Sequence, residues 1–297
     1  MVGRRLALLG IARLAAACSF DSSATGPSVT IDAGADAGSP DAAVPGAVHL
    51  LLTEVKSGPD AREFIEIFNP TCEDVALDNY YLSDDPSYPL VPTWGSPAPN
   101  PGSFDAVLRF PPGSVLASNT ALVVARDGVE FAAAFGFGAA FSITNPADMT
   151  IVASGAMPDM AIANDGDPVV LFEWDGEADL VRDVDLVIAG DAPPEPRRLV
   201  AKRALAPDGI DGPDDGAATS AYESDAMSLP AMQVRDATIG SYQRVEGEGI
   251  YEEPAGGNGL TGHDETSEDT TMTWEQVVDS EPTPGTVPSS LNAACGQ

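Results

Sequence analysis

The sequence predicts an all-β protein, a β-sandwich carrying long acidic loops. Three observations lead there. Short runs of alternating or β-branched apolar residues recur from Val48 onward, Gly and Pro clusters separate them, and no stretch shows the period of a long amphipathic helix. An internal repeat of roughly 20–50 residues, the mark of a solenoid or propeller, is absent. At 297 residues the chain can bury a substantial core.

The strand signals begin with "VHLLLTEV" and "EFIEIFN". In the second, Ile65 and Ile67 face one way and Phe64, Glu66 and Phe68 the other, because side chains alternate along a strand. Asn69-Pro70 ends that run, since proline donates no ladder hydrogen bond and restricts the residue before it. "VALDNYYLSD" is a third strand, ending at Asp84-Asp85-Pro86, and a Pro-rich loop follows. Next come "AVLRFPPGSVL", turned by its Pro-Pro-Gly, and "TALVVARD". "FAAAFGFGAAF" is either a short helix or a glycine-relaxed loop. "DMTIVAS", "DPVVLFEWDGE" and "LVRDVDLVIAG" resume the strand rhythm, with Asp175-Gly176 as a hairpin turn. Arg197, Arg198, Lys202 and Arg203 form the one dense basic cluster, expected as a solvated strand edge or as counter-charge for nearby acids. Residues 205–235 and 246–270 are acidic, Gly-rich and poor in large apolar groups, which predicts surface insertions.

Charge narrows the function. With 14 Lys+Arg against 46 Asp+Glu the formal net charge is −32. Phosphate backbones and anionic lipid are bound by neutralising Lys and Arg, so nucleic acid is excluded as a partner class and Ca²⁺ or basic proteins are favoured. Residues 1–18 resemble a bacterial lipoprotein signal: Arg4 and Arg5 precede an apolar stretch, and "LAAAC" resembles a lipobox ending at Cys18. The resemblance implies export, lipidation of Cys18 and, with Ser19 next, an outer-membrane or cell-surface location. Residues 19–46 are small, Asp- and Pro-rich, the composition of a flexible tether. The folded domain is expected over residues 47–290, with 291–297 as a tail. Of three cysteines, Cys18 would carry the lipid, leaving Cys72 and Cys295 either bridged or as unpaired small residues. A bridge would close a long loop, worth about 5 kcal/mol by chain entropy.

Several of these runs resemble the lamin-tail domain, an immunoglobulin-like module. Its opening pattern is matched by Glu54, by Glu63-Phe64-Ile65-Glu66, by Asn69-Pro70 and by Val75, Leu77, Tyr80, Tyr81 and Leu82. The family's Gly-Trp is Asn79-Tyr80 here. "FPPGSVLASNTALVVAR", "NDGDPVVLFEWDGEADLVRDVDLV", "SYQRVE", Trp274 and "PTPGTVP" resemble later family elements in order. The resemblance covers roughly residues 47–290. It implies an immunoglobulin-like β-sandwich, and says far more about fold than activity.

Candidate chemistry is sparse. Glu54, Glu63 and Glu66 lie close in sequence, but Glu63 and Glu66 should project to opposite faces of one strand, which does not aim two carboxylates at one bond. The two histidines, His49 and His263, accompany no nucleophile motif, and a zinc site would need more His/Cys at suitable spacing. Calcium is the better-supported ligand: Asp208, Asp211, Asp214 and Asp215 are interspersed with glycines, and Ca²⁺ takes six to eight oxygens. Asp165 and Asp167 in "NDGDP" form a second candidate. The sequence thus predicts a non-enzymatic, lipid-anchored protein that binds or scaffolds an envelope or extracellular protein, with Ca²⁺ as a structural ion. The alternative is an accessory domain of secreted hydrolytic machinery, or a metal-dependent hydrolase using the Asp-rich loops.

Overall fold

Strands β1 (Leu51–Lys56) and β2 (Phe64–Phe68) form the centre of a six-stranded sheet in the computed structural model. The structure describes residues 49–93, 105–145, 147–155, 159–163, 166–189, 201–213, 216, 219–224, 240–247, 251–253, 255–277 and 282–292. All lie within the compact unit Ala42–Gln297.

Most expected strands are present, and the protein is mostly β. In chain order the next are β3 (Val75–Ala76), β4 (Tyr80–Ser83), β5 (Ala106–Arg109), β6 (Val115–Leu116), β7 (Ala121–Ala125), β8 (Phe141–Ser142) and β9 (Thr150–Ser154). They are followed by β10 (Asp167–Glu173), β11 (Arg182–Ala189), β12 (Ser241–Arg244) and β13 (Trp274–Val277). The first sheet runs β13-β12-β1-β2-β7-β8 and the second β11-β10-β4-β5-β9, with β3-β6 as a separate ribbon. Pairing is antiparallel except between β7 and β8.

Alternation decides what each face meets. Ile65 and Ile67 join Leu52, Val55, Leu82, Leu108, Val124, Val169 and Leu171 in one buried cluster drawn from both sheets. The opposite face of β2 is covered in two places. Phe64 packs beneath Phe131 of helix α1 (Gly128–Phe135), and Phe68 packs with Leu51 and Leu291. "FAAAFGFGAAF" therefore does contain a short helix. Asp127 caps it by accepting from the Val129 and Glu130 amides, and Gly136 ends it at φ 79°, a left-handed position that suits a residue without Cβ.

One turn differs from expectation. The β10–β11 hairpin closes through residues 174–181 rather than at Asp175-Gly176 alone, because Asp175 accepts from the Glu177 and Ala178 amides and Trp174 Nε1 donates to the Ala178 carbonyl. A bulge in β1 between Leu52 and Glu54 shifts the register, so Glu54 pairs directly with Glu66 of β2.

Candidate functional site

Glu54, Glu63 and Glu66 are each engaged by partners within the chain. Glu63 lies against Arg126, at 3.3 Å, beside the apolar side chains Ile65, Val124, Met160 and Ile162. Arg126 also meets Asp60 and Asp159. Glu66 projects to the other side of the strand, as alternation requires, and is buried. Its Oε1 accepts from the Thr53 hydroxyl at 2.7 Å, and its Oε2 accepts from the Gly285 amide. Glu54 accepts from Ser241 and Gln243 side chains and from the Thr283 amide. The Glu54–Glu66 pair thus fastens residues 283–285 across the outer face of the first sheet, between the patches around Phe64 and Phe68. Burial pushes Glu66 up to about 7, with Glu54 adding like-charge repulsion, and burial pushes Glu63 up to about 8 against the pull of Arg126.

Other buried charges are compensated within the chain. Arg244 is fully buried and donates to Asp185 and Glu268 at 2.7 Å each and to the Leu52 carbonyl at 2.8 Å, while lying over the Trp274 ring. Lys202 of the short helix α2 (Lys202–Leu205) is buried against Asp183 at 2.5 Å, and Tyr88 donates to the same carboxylate. Of the basic cluster, Lys202 is thus a counter-charge in a helix rather than part of a solvated strand edge, and Arg203 donates to the Tyr222 carbonyl. Arg197 and Arg198 lie outside the described residues.

Two clusters have a different character. In the first, Asp84 follows β4, Asp105 precedes β5 and Asp167 opens β10. These strands are antiparallel neighbours, so all three carboxylates fall at one end of the second sheet, with a ligand oxygen from each within 4.8 Å of the others. Asp84 Oδ1 accepts from the Ala106 amide at 2.7 Å, and Asp167 Oδ2 from the Ala163 amide at 2.6 Å. Asp84 is 0% exposed and its Oδ2 is buried without a hydrogen-bond partner. Burial, then repulsion from Asp167, Asp105 and Asp85, pushes its carboxyl well above the usual range. Converging all-oxygen donors of this kind suit a hard cation such as Ca²⁺.

In the second, the two histidines of the chain meet. His49, just before β1, and His263 stack with ring centroids 4.8 Å apart, and Glu265 lies between the same groups. Glu265 Oε1 is 2.8 Å from His263 Nδ1 and 3.9 Å from His49 Nε2. Glu252 Oε1 is also 2.8 Å from His263 Nδ1. The segment 246–270, expected as a surface insertion, therefore buries His263, Asp264, Glu265, Thr266 and Glu268.

Asp208 and Asp211 are exposed and belong to neither cluster, while Asp214 and Asp215 lie outside the described residues. Of "NDGDP", Asp167 is a cluster member and Asp165 lies outside the described residues. Cys72 is disulfide-bonded, and its expected partner Cys295 lies outside the described residues, as does Cys18. Among the described residues no helix is long and apolar enough to cross a membrane.

No protein-family model and no curated protein matches the chain. Among solved structures, a DUF4876 family protein from Bacteroides thetaiotaomicron is similar at a TM-score of 0.41 and 17% identity, over 82% of this chain and 75% of that one.

Proposed function

We propose that this chain is an exported, lipid-anchored protein whose immunoglobulin-like β-sandwich, of lamin-tail type, serves as a non-catalytic binding or scaffolding module at the envelope. What carries the reading is how the fold uses its buried charges. Arg244, Lys202 and Arg126 join carboxylates from separate elements, and Glu54 and Glu66 fasten the segment 283–285, so groups that resemble acid/base equipment act as cross-links. The shared apolar cluster of the two sheets supports the sandwich, and the ordered match of Glu54, Glu63–Glu66, Asn69-Pro70 and Trp274 supports the lamin-tail type.

Ca²⁺ belongs to this reading at Asp84, Asp105 and Asp167, where a dication stiffens the end of the second sheet, rather than at Asp208–Asp215. Display is tested by palmitate labelling and fractionation of cells expressing the full chain. Wild type is expected to carry label and stay with the membrane, and Cys18→Ala to lose both. Label that survives in Cys18→Ala overturns the anchor. The binding role is tested by cross-linking on intact cells. A discrete adduct with an envelope or extracellular protein, formed by wild type and lost in Cys18→Ala, supports it, and the absence of any adduct removes it.

A further inference from the structure

We propose that His49, His263, Glu265 and Glu252 form a closed binding site for a divalent transition metal of the zinc class, which pins residues 251–253 and 255–267 to the start of β1. This site is separate from the aspartate cluster in both residues and donor chemistry.

The argument begins with protons. His49 Nδ1 lies 3.0 Å from the Leu50 carbonyl oxygen, which can only accept, so Nδ1 carries the hydrogen and Nε2 presents its lone pair. That is how a protein commonly orients a metal-binding imidazole, by fixing the remote nitrogen with a hydrogen bond. Nε2 is turned toward Glu265, 3.9 Å away. His263 Nδ1 has two carboxylate oxygens, from Glu252 and Glu265, each at 2.8 Å. A single N–H cannot be directed well at both. A cation among the three, in place of that hydrogen, satisfies all of them.

Spacing and charge agree. Tetrahedral zinc with bonds of about 2.0–2.1 Å holds its donors roughly 3.4 Å apart. The observed separations of 2.8 and 3.9 Å bracket that value, and the widest within the His49, His263 and Glu265 set is at most 4.8 Å. Closing the site on one metal takes a turn of one imidazole out of the stack, whose rings lie 9° from parallel, so that both in-plane lone pairs meet the ion. The side chains of His49, His263 and Glu265 are 4%, 6% and 0% exposed, and that of Glu252 is 8% exposed. Glu252 and Glu265 bring two carboxylates to the same sequestered place as the two imidazoles, and a dication among them balances the carboxylate charge. Two imidazole nitrogens and two carboxylates form a borderline donor set, suited to zinc and its neighbours rather than to Ca²⁺. All four donors come from protein, the pattern of a structural site rather than a catalytic one with an open position.

Backbone geometry contributes as well. A Cβ on Gly259 would lie 2.7 Å from His263 Nδ1 and Cε1, so glycine here admits the imidazole to its place.

Because the chain has two histidines, the test needs no variant to be readable. The full chain, stripped with a chelator and dialysed, is titrated with Zn²⁺ while the imidazole ring signals are followed by NMR. Both rings are expected to shift together and saturate at one equivalent, with Ca²⁺ leaving them in place. His263→Gln and His49→Gln, checked for folding by circular dichroism, should each weaken zinc binding by about 100-fold or more. Ring signals that ignore one equivalent of Zn²⁺, or a response confined to one histidine, overturn the proposal.

Discussion

Asp185 and Asp84 are both fully buried aspartates, and their surroundings could hardly differ more. Asp185 receives Arg244 and the Leu52 amide. Asp84 receives one backbone amide, keeps Oδ2 without a partner, and has Asp167, Asp105 and Asp85 as its charged neighbours. A buried carboxylate is tolerated only when its charge is compensated or removed. Asp185 is compensated from within the chain. Asp84 must take a proton or a cation from outside, so its state depends on the solution. The first region behaves as permanent framework and the second as a conditional one.

Breaking the permanent side should have the largest effect. Arg244→Met leaves Asp185 and Glu268 buried without their counter-charge, and urea unfolding is expected to show a loss of about 3–5 kcal/mol. A loss under 1 kcal/mol would remove the distinction between the two regions.

Glu66, raised like Asp84 by burial beside another carboxylate, extends the comparison by pH. The folded-state value of Glu66, about 7, lies above its ordinary 4.5, so the folded protein binds this proton more tightly than the unfolded chain. Its contribution is fully present below about pH 4.5 and is lost as pH rises through 7, a decline of at most about 3 kcal/mol. Glu66→Gln should flatten that part of the stability–pH curve, since the amide oxygen still accepts from Gly285 and the Thr53 hydroxyl can accept from the new NH₂. An unchanged slope in the variant would show that Glu66 is not the group responsible.

Asp84→Asn probes the aspartate cluster itself. Asp84 is raised well above 3.8, so without metal its contribution also falls as pH rises. In chelator at pH 8 the variant is expected to be more stable than wild type by about 1–2 kcal/mol, because it removes the need to bury a charge or take up a proton. Destabilisation in chelator would mean that the charge is compensated after all. The smallest effect is expected at Arg182→Ala, where Arg182 is 55% exposed and pairs with a half-buried Glu173. That change should alter stability by less than about 1 kcal/mol, and a larger loss would blur the line between surface and buried pairs.

Much of the frame was legible because it rests on local patterns. Alternation in "EFIEIFN" and "DPVVLFEWDGE" marked β2 and β10, and it also separated Glu63 from Glu66. Why Glu66 sits between two phenylalanines was not legible. The answer needs helix α1, Leu291 and Gly285, all distant in sequence, folded over that face. The cation candidates show the same limit. A dense acidic run such as Asp208–Asp215 is visible in one dimension, but Asp208 and Asp211 face solvent. Asp84 and Asp105 carry no signal in sequence, and they meet Asp167 of "NDGDP" only because β4 runs antiparallel to β5 and β10. His49 and His263 are separated by most of the chain, and counting residues could not bring them together. The nearest local signal was "GNGLTGHDE", whose Gly259 leaves room for the His263 ring.

The most direct test of the conditional region is calorimetric titration of Ca²⁺ into the chelator-stripped full chain, alongside Asp84→Asn. One saturable site that disappears in the variant is expected, with a stabilisation of about 2.7 kcal/mol when Ca²⁺ stands a hundredfold above its dissociation constant. Absence of binding in the wild type, or binding that survives Asp84→Asn undiminished, would contradict the assignment of this cluster as a cation site.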